Sequence, residues 1–203
     1  MSPSESPAGR KTPSGRAPHR RDESARIAVL HAADDLLVER GFAGVTIEGI
    51  AARARVAKQT IYRWWPSKVE VLLDTLIDDA SRRLAVEDAG GAVDSTSRYL
   101  HRLARFLTKE PAGKVLLALL GEAQHDADMA RIFHERYLDP QRQAERAMLK
   151  RGVTSGELSA ALDVDAALDA LCGPIFYRAL TGARIPRAFI DGLIADTLKP
   201  HVT

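Results

Sequence analysis

Among 203 residues there is a single cysteine, Cys172, which excludes an internal disulfide and any zinc site built on several thiolates. Aromatic residues are sparse, at 5%. Segments that alternate apolar and polar residues with β-branched enrichment are missing, so the expected fold is all-α. No apolar run approaches the roughly 18–20 residues of a membrane span, and no membrane partner is expected. The N-terminus carries no apolar stretch of the secretory kind. Together these absences point to a cytoplasmic location. No Gly-rich phosphate loop, nucleophile elbow or paired-carboxylate arrangement stands out, so neither an enzyme nor a cofactor is expected.

What is present is unevenly spread. The net charge of +2 divides into 12 Lys/Arg against 8 Asp/Glu over residues 1–70 and 17 against 19 over the rest. A basic head on a slightly acidic body suits contact with a polyanion. Residues 1–21 are rich in Ser, Pro and Gly and lack periodic apolar positions, so they read as a disordered basic tail. Arg10, Lys11, Arg16, Arg20 and Arg21 would let it follow a DNA groove; a simply solvated tail is the alternative.

From Asp22 to Arg40 the apolar residues Ile27, Leu30, Ala33 and Leu37 recur at helical spacing, and Gly41 with Phe42 forms a Schellman-type ending. Thr46 caps a second helix with Glu48 in its first turn and Ile47, Ile50, Ala51 and Ala54 inward. Arg55-Val56 is a turn, and a third short helix runs from Ala57 to Trp65 with Ile61 inward. Lys58, Gln59, Tyr62 and Arg63 then share its outer face. Lys58 and Arg63 reach guanine edges or phosphates, Gln59 pairs with adenine, and Thr60 and Tyr62 offer hydroxyls to phosphate oxygens. The pattern is a helix-turn-helix; a solvated amphipathic face over two core tryptophans is the plainer reading. Ser67-x-x-Glu70 is a capping box that starts a long helix towards Ala89, with Lys68 in its first turn and Gly90-Gly91 at its end. A phosphate there would offset both the lysine and the helix dipole.

The stretch from about Arg26 to Leu76 resembles the tetracycline-repressor (TetR/AcrR-type) family of bacterial transcription regulators. The resemblance rests on Gly41-Phe42, Thr46, Ile50-Ala51, Val56, Thr60-Ile61-Tyr62, Lys68 and Leu72 in the family's order. It implies an N-terminal three-helix DNA-binding head and a C-terminal helical body that binds an effector and dimerises. It places Lys58, Gln59, Thr60 and Arg63 near bases of double-stranded DNA, and Thr46, Tyr62, Trp64 and Lys68 on the backbone. Arg55 departs from the pattern, since glycine often occupies that turn; it touches phosphate, or the turn takes another shape. Trp65 is expected in the core and Trp64 at the rim.

The resulting division is a tail at 1–21, a helix-turn-helix domain at 22–68, a connecting helix at 69–91 and an effector-binding and dimerisation domain at 92–203. In the body, helices are expected at 94–109, 114–120 and 128–151, with Pro140 kinking or splitting the third and a loop at 152–156. Asp163 caps a further helix that Gly173-Pro174 should break, and Pro186 opens a last one. The terminal pair makes half of a four-helix bundle, and the resemblance implies that it forms a homodimer; an intramolecular core is the alternative. His125, Asp126, Asp128 and His134 invite a metal reading, but the histidines are nine apart, and Asp126 or Asp128 reads better as a helix cap. Cys172 reads as a core filler.

These features favour a homodimeric repressor that leaves a palindromic operator when a small apolar or amphipathic effector binds. A DNA-binding regulator controlled by a protein partner, or by no effector, is the alternative. An enzyme using the His125/His134 region is a weaker third.

Overall fold

A computed structural model describes residues 18–85 and 90–202, the first four of them as backbone only. Among these the chain is helical, with no strand beyond one isolated bridge between Leu158 and Val202. Most of the basic tail lies outside the described residues.

Helix α1, Pro18–Gly44, begins four residues before the expected Asp22 and is interrupted at Gly41 (φ 67, ψ 175). That positive φ is open to glycine and turns the last residues away from the helix axis. Leu30, Ala33 and Leu37 of the expected stripe are buried, joined by Val29 and Leu36, while Ile27 is exposed, so the stripe is wider than expected and starts later. Helix α2, Ile47–Ala54, is capped by Thr46, whose Oγ1 accepts from the Gly49 N–H at 3.0 Å. Helix α3 spans only Lys58–Tyr62, not 57–65, and the two tryptophans lie in the turn after it. Helix α4, Lys68–Arg83, is capped by Ser67 through the Glu70 N–H at 3.4 Å. It stops short of the expected Ala89: Leu84 leaves helical geometry (φ −112, ψ 15), and its side chain is buried. The connecting helix is therefore shorter than 69–91, and residues 86–89 lie outside the described ones.

The body opens with α5, Ala92–Lys109, whose first two N–H groups bond Glu157 across the fold at 2.6 and 3.0 Å. An acidic side chain there satisfies orphan donors and suits the dipole. Helix α6, Pro111–Glu122, buries Val115, Leu116 and Leu119 and touches both α1 and α4. It turns tightly off α5 at Gly113, where an added Cβ would stand 1.9 Å from the Phe106 carbonyl oxygen.

The expected long helix is split, as Pro140 required. Helix α7, Ala127–Phe133, passes through a π-helical turn, His134–Leu138, into α8, Asp139–Ser155. Proline lacks an N–H and its ring crowds the carbonyl four residues back; the wider turn relieves both problems. Helix α8 continues through the expected loop at 152–156 and ends on Gly156 (φ 80). Gly152 is thus helical and buried, and a Cβ there would stand 2.4 Å from Ala92 Cβ. Helix α9, Val164–Leu180, is capped by Asp163 and is not broken at Gly173-Pro174. Pro174 removes one helical hydrogen bond, and buried Leu171, Cys172 and Ile175 hold the helix on either side of it. Helix α10, Arg187–Leu198, follows Pro186 and buries Ile190, Ile194 and Leu198.

One apolar cluster runs without interruption from Val29 in α1 to Leu198 in α10. Head and body therefore share a core, with α4 and α6 as the link. Burial drives the Cys172 thiol pKa far up, which suits a core filler. No helix among the described residues is long and apolar enough to cross a membrane.

Candidate nucleic-acid interface

The α2–α3 corner is built on a strained residue. Arg55 adopts φ 57, ψ 43, and among the described residues it is the one non-glycine with positive φ. A left-handed residue with a Cβ costs about 1–2 kcal/mol. The conformation lets both the Arg55 and the Val56 N–H groups reach the Ala51 carbonyl, closing α2 sharply. Helix α3 then crosses small Ala51 and anchors itself with Ile61, which is fully buried.

Trp65 is the second anchor. It is 2% exposed, and its indole N–H donates to Asp74 Oδ2 on α4 at 2.7 Å. The other oxygen of Asp74 pairs with Arg136 in the π-turn, and Arg136 also approaches Glu70 at 3.9 Å. The end of the helix-turn-helix is thus tied through α4 to the body. Neither Asp74 nor Arg136 is suggested by any local motif; only the packing of α4 against the π-turn joins them.

With Ile61 and Trp65 fixed inward, Lys58, Gln59, Tyr62 and Arg63 project outward and are exposed. Thr60 is half-buried, and Trp64 is half-buried at the rim, edge-on to Trp65 at 5.5 Å between ring centroids. The Arg63 guanidinium lies over the Trp64 ring at 4.9 Å and pairs with Asp22 at 2.8 Å. Lys58 pairs with Glu48 at 3.0 Å, which brings the first turn of α2, and with it Thr46, beside the start of α3. Their hydrogen bond holds the Glu48 carboxyl pKa below its usual value and raises that of Lys58. Among the described residues no hydrogen bond or ion pair holds the side chains of Tyr62, Gln59 and Arg55.

Lys68 stands apart from this group. It is half-buried and donates to the carbonyls of Val45 at 3.3 Å and Phe42 at 3.5 Å, with the Phe42 ring 4.9 Å away. The lysine that the sequence places on a phosphate-ready helix end therefore also fastens the α1–α2 turn. An ammonium group has three N–H donors, so these two bonds leave one unused.

The His125/His134 region takes another form. Asp126 caps α7, accepting from the Met129 N–H at 3.0 Å, and both histidines are exposed. Among the described residues no three His, Cys, Asp or Glu side chains gather as metal ligands.

A short helix carrying two cations, an amide and a phenol, braced by a capped helix across a tight turn, defines a helix-turn-helix DNA-binding protein. Comparison with known proteins agrees. Residues 29–75 match the model of bacterial regulatory proteins of the tetR family, and residues 86–197 match the tetracyclin repressor-like C-terminal domain. The HTH-type transcriptional regulator YdeS of Bacillus subtilis is 39% identical over 180 residues, covering 88% of this chain and 90% of the relative. The DNA-binding transcriptional repressor TetR of Mycobacteroides abscessus is 30% identical over 184 residues, covering 88% and 94%. The crystal structure of the TetR-family regulator SCO0332 superposes with a TM-score of 0.75 at 31% identity, covering 85% of this chain and 96% of that one. The chain belongs to the TetR family of transcriptional regulators: it is a DNA-binding regulator and not an enzyme.

Proposed function

We propose that this regulator is a homodimeric repressor that binds a palindromic operator through α3 and releases it when the body takes up a small effector. The observation that carries the proposal is the outward face of α3, held rigid by Ile61 and Trp65. Lys58, Gln59, Thr60 and Arg63 read base edges in the major groove. Thr46, Arg55, Tyr62, Trp64 and the third donor of Lys68 hold the sugar-phosphate backbone. A phosphate beside Arg55 also gives that strained residue a use.

Dimerisation through α9 and α10 is supported by a bare stripe on α9. Tyr177 and Leu180 are 68% and 60% exposed, in line with exposed Ala166, Ala170 and Gly173 at helical spacing. Small residues allow a second helix to approach closely, and two heads then read two half-sites about one turn apart. Control by a protein partner, or none, is the competing reading. A thermal-shift screen in which no small molecule stabilises the protein would favour it.

The direct test is a gel-shift with a palindrome from the gene's own upstream region at rising salt. Salt-sensitive binding is expected, and its absence there and at neighbouring promoters overturns the proposal. In the same assay Tyr62→Phe should weaken binding to all sequences alike. Lys58→Ala should relax preference by about 1–3 kcal/mol at one position per half-site. If both merely lower affinity uniformly, the division into base and phosphate contacts is wrong.

A further inference from the structure

Between the end of α5, the first turns of α6 and the α9–α10 connection lies an open cavity of about 520 Å³. Small-molecule sites typically measure roughly 300–1,000 Å³. Leu107, Leu117, Ala179, Ile185 and Pro186 give it an apolar floor. Lys109, Lys114 and Arg184 stand around it, all exposed. None of these three cationic groups has a carboxylate or hydrogen-bond partner among the described residues. Glu110, next in sequence to Lys109, is already engaged by Arg83 at 3.0 Å and Arg105 at 3.9 Å. The Arg184 backbone carbonyl accepts from Arg178 at 2.6 Å, which fixes the loop but leaves the guanidinium free.

The same two lysines also border a second hollow of about 380 Å³ on the opposite side, walled by Leu37, Val38 and Phe42 of α1 and by Pro111 and Ala118 of α6. Lys109 and Lys114 thus form a cationic step between two apolar troughs. By contrast, the centre of the bundle is filled: Tyr99, Phe133 and Tyr137 are 1%, 0% and 6% exposed.

We infer that this groove binds an anionic amphipath, a molecule with one apolar chain and one negatively charged headgroup. The chain lies on the Leu107–Leu117–Ile185 floor, and the headgroup rests against Lys109 and Lys114 with Arg184 at the mouth. Charge complementarity selects the class. A neutral chain covers the floor but leaves the cations unused, a cationic chain is repelled, and a purely polar anion gains nothing from the floor. The inference rests on the reading of the body as an effector-binding module, and it names that effector's chemistry. Because α1 walls the second hollow and α6 touches both α1 and α4, an occupant pushing α6 would act on the head directly.

The test is calorimetric titration of the full chain, without DNA, by decanoate, decan-1-ol and decyltrimethylammonium. Decanoate should bind, and Lys109→Gln/Lys114→Gln should raise its Kd about tenfold or more. Any weak binding of decan-1-ol should not respond to the substitutions, and the ammonium should not bind. Both lysines are exposed, and an unchanged unfolding midpoint of the free variant checks that it folds. The proposal is overturned if decanoate does not bind or binds the double variant equally well. It falls equally if the ammonium or the alcohol binds as tightly as decanoate, although effector control would then survive with another chemistry. DNA binding by the free protein is scored separately in the gel-shift, so losing the amphipath site leaves the DNA-binding reading standing.

Discussion

Head and body both carry ion pairs at the surface, but the body also encloses a polar cluster. In the head three outward cations hold carboxylates at the surface: Arg53 with Glu39 at 2.6 Å, Lys58 with Glu48 at 3.0 Å, Arg63 with Asp22 at 2.8 Å. Exposed pairs of this kind contribute only about 0–1 kcal/mol, so phosphates can take over the cations at little cost. In the body a polar cluster is sealed inside. The Tyr99 hydroxyl donates to Glu145 and accepts from Gln141 Nε2 at 3.0 Å, with Tyr99 and Glu145 only 1% and 7% exposed. Groups buried in this way are costly to part and fix how α5 and α8 meet. The head is built to exchange partners and the body to keep them.

The largest effects should therefore come from the close contacts of the body. Gly113→Ala places a methyl against the Phe106 backbone, which cannot swing aside as a side chain would. We expect a loss of about 2–4 kcal/mol in urea unfolding. Gly121→Ala on the same helix meets open space and should gain about 0.5–1 kcal/mol. Equal responses at the two sites would mean that α5 and α6 can separate without cost, which would break the contrast with the head.

Next comes the tie between the two regions. Asp74→Ala leaves the Trp65 indole without its acceptor and Arg136 with only the longer contact to Glu70. A cost of about 1–3 kcal/mol is expected, with a shift in tryptophan fluorescence. Asp74→Asn keeps an acceptor for the indole and should cost less. If both variants unfold like the parent, the head is not held through α4.

That tie also marks the limit of what sequence reasoning reaches. The head was legible because its instructions are local. Thr46 and Ser67 cap helices three residues from the N–H groups they accept from, Ile61 repeats the apolar period, and Trp65 is buried as expected. In the body the deciding contacts are distant. Gly152 lies within α8 where Ala92 leaves no room for a side chain, and α5 is capped by Glu157 from far along the chain. Pro140 announced a disruption, but its form as a π-turn depends on how α7 and α8 pack. Gly173-Pro174 misled because a proline removes one helical hydrogen bond, and the burial of Leu171, Cys172 and Ile175 around it holds the helix together. On α3 the outward residues were legible, while the acids that hold Lys58 and Arg63 were not, because they come from α2 and from the start of α1.

A smaller effect, with a definite sign, should come from Glu145. Burial raises its carboxyl pKa, against the lowering by Tyr99, Arg142 and Gln141. The folded state therefore keeps the proton to higher pH than the unfolded chain. Its contribution is full below the ordinary glutamate pKa of 4.5 and is lost as pH rises through the folded value. Glu145→Gln, which still accepts from Tyr99, should flatten the stability–pH profile above that point and gain about 1 kcal/mol at neutral pH. A profile unchanged from the parent would mean that the cluster is not sealed.

The smallest change tests the head's side of the contrast. Glu48 is exposed, sits in the first turn of α2 and holds Lys58, so it is a negative charge on the face assigned to DNA. On binding it must give up the lysine and then face phosphates. Glu48→Gln removes that competitor while leaving the Thr46 cap intact, since Thr46 bonds the Gly49 backbone and not Glu48. Stability should hardly change, because exposed pairs contribute little. Affinity for DNA should rise at low salt, equally for operator and unrelated sequences, and the gain should shrink as salt is added. Fluorescence anisotropy with both DNAs across a salt series measures each of these. If the gain were confined to the operator, Glu48 would be reading bases, and Lys58 would be held in register by its acid rather than merely occupied by it.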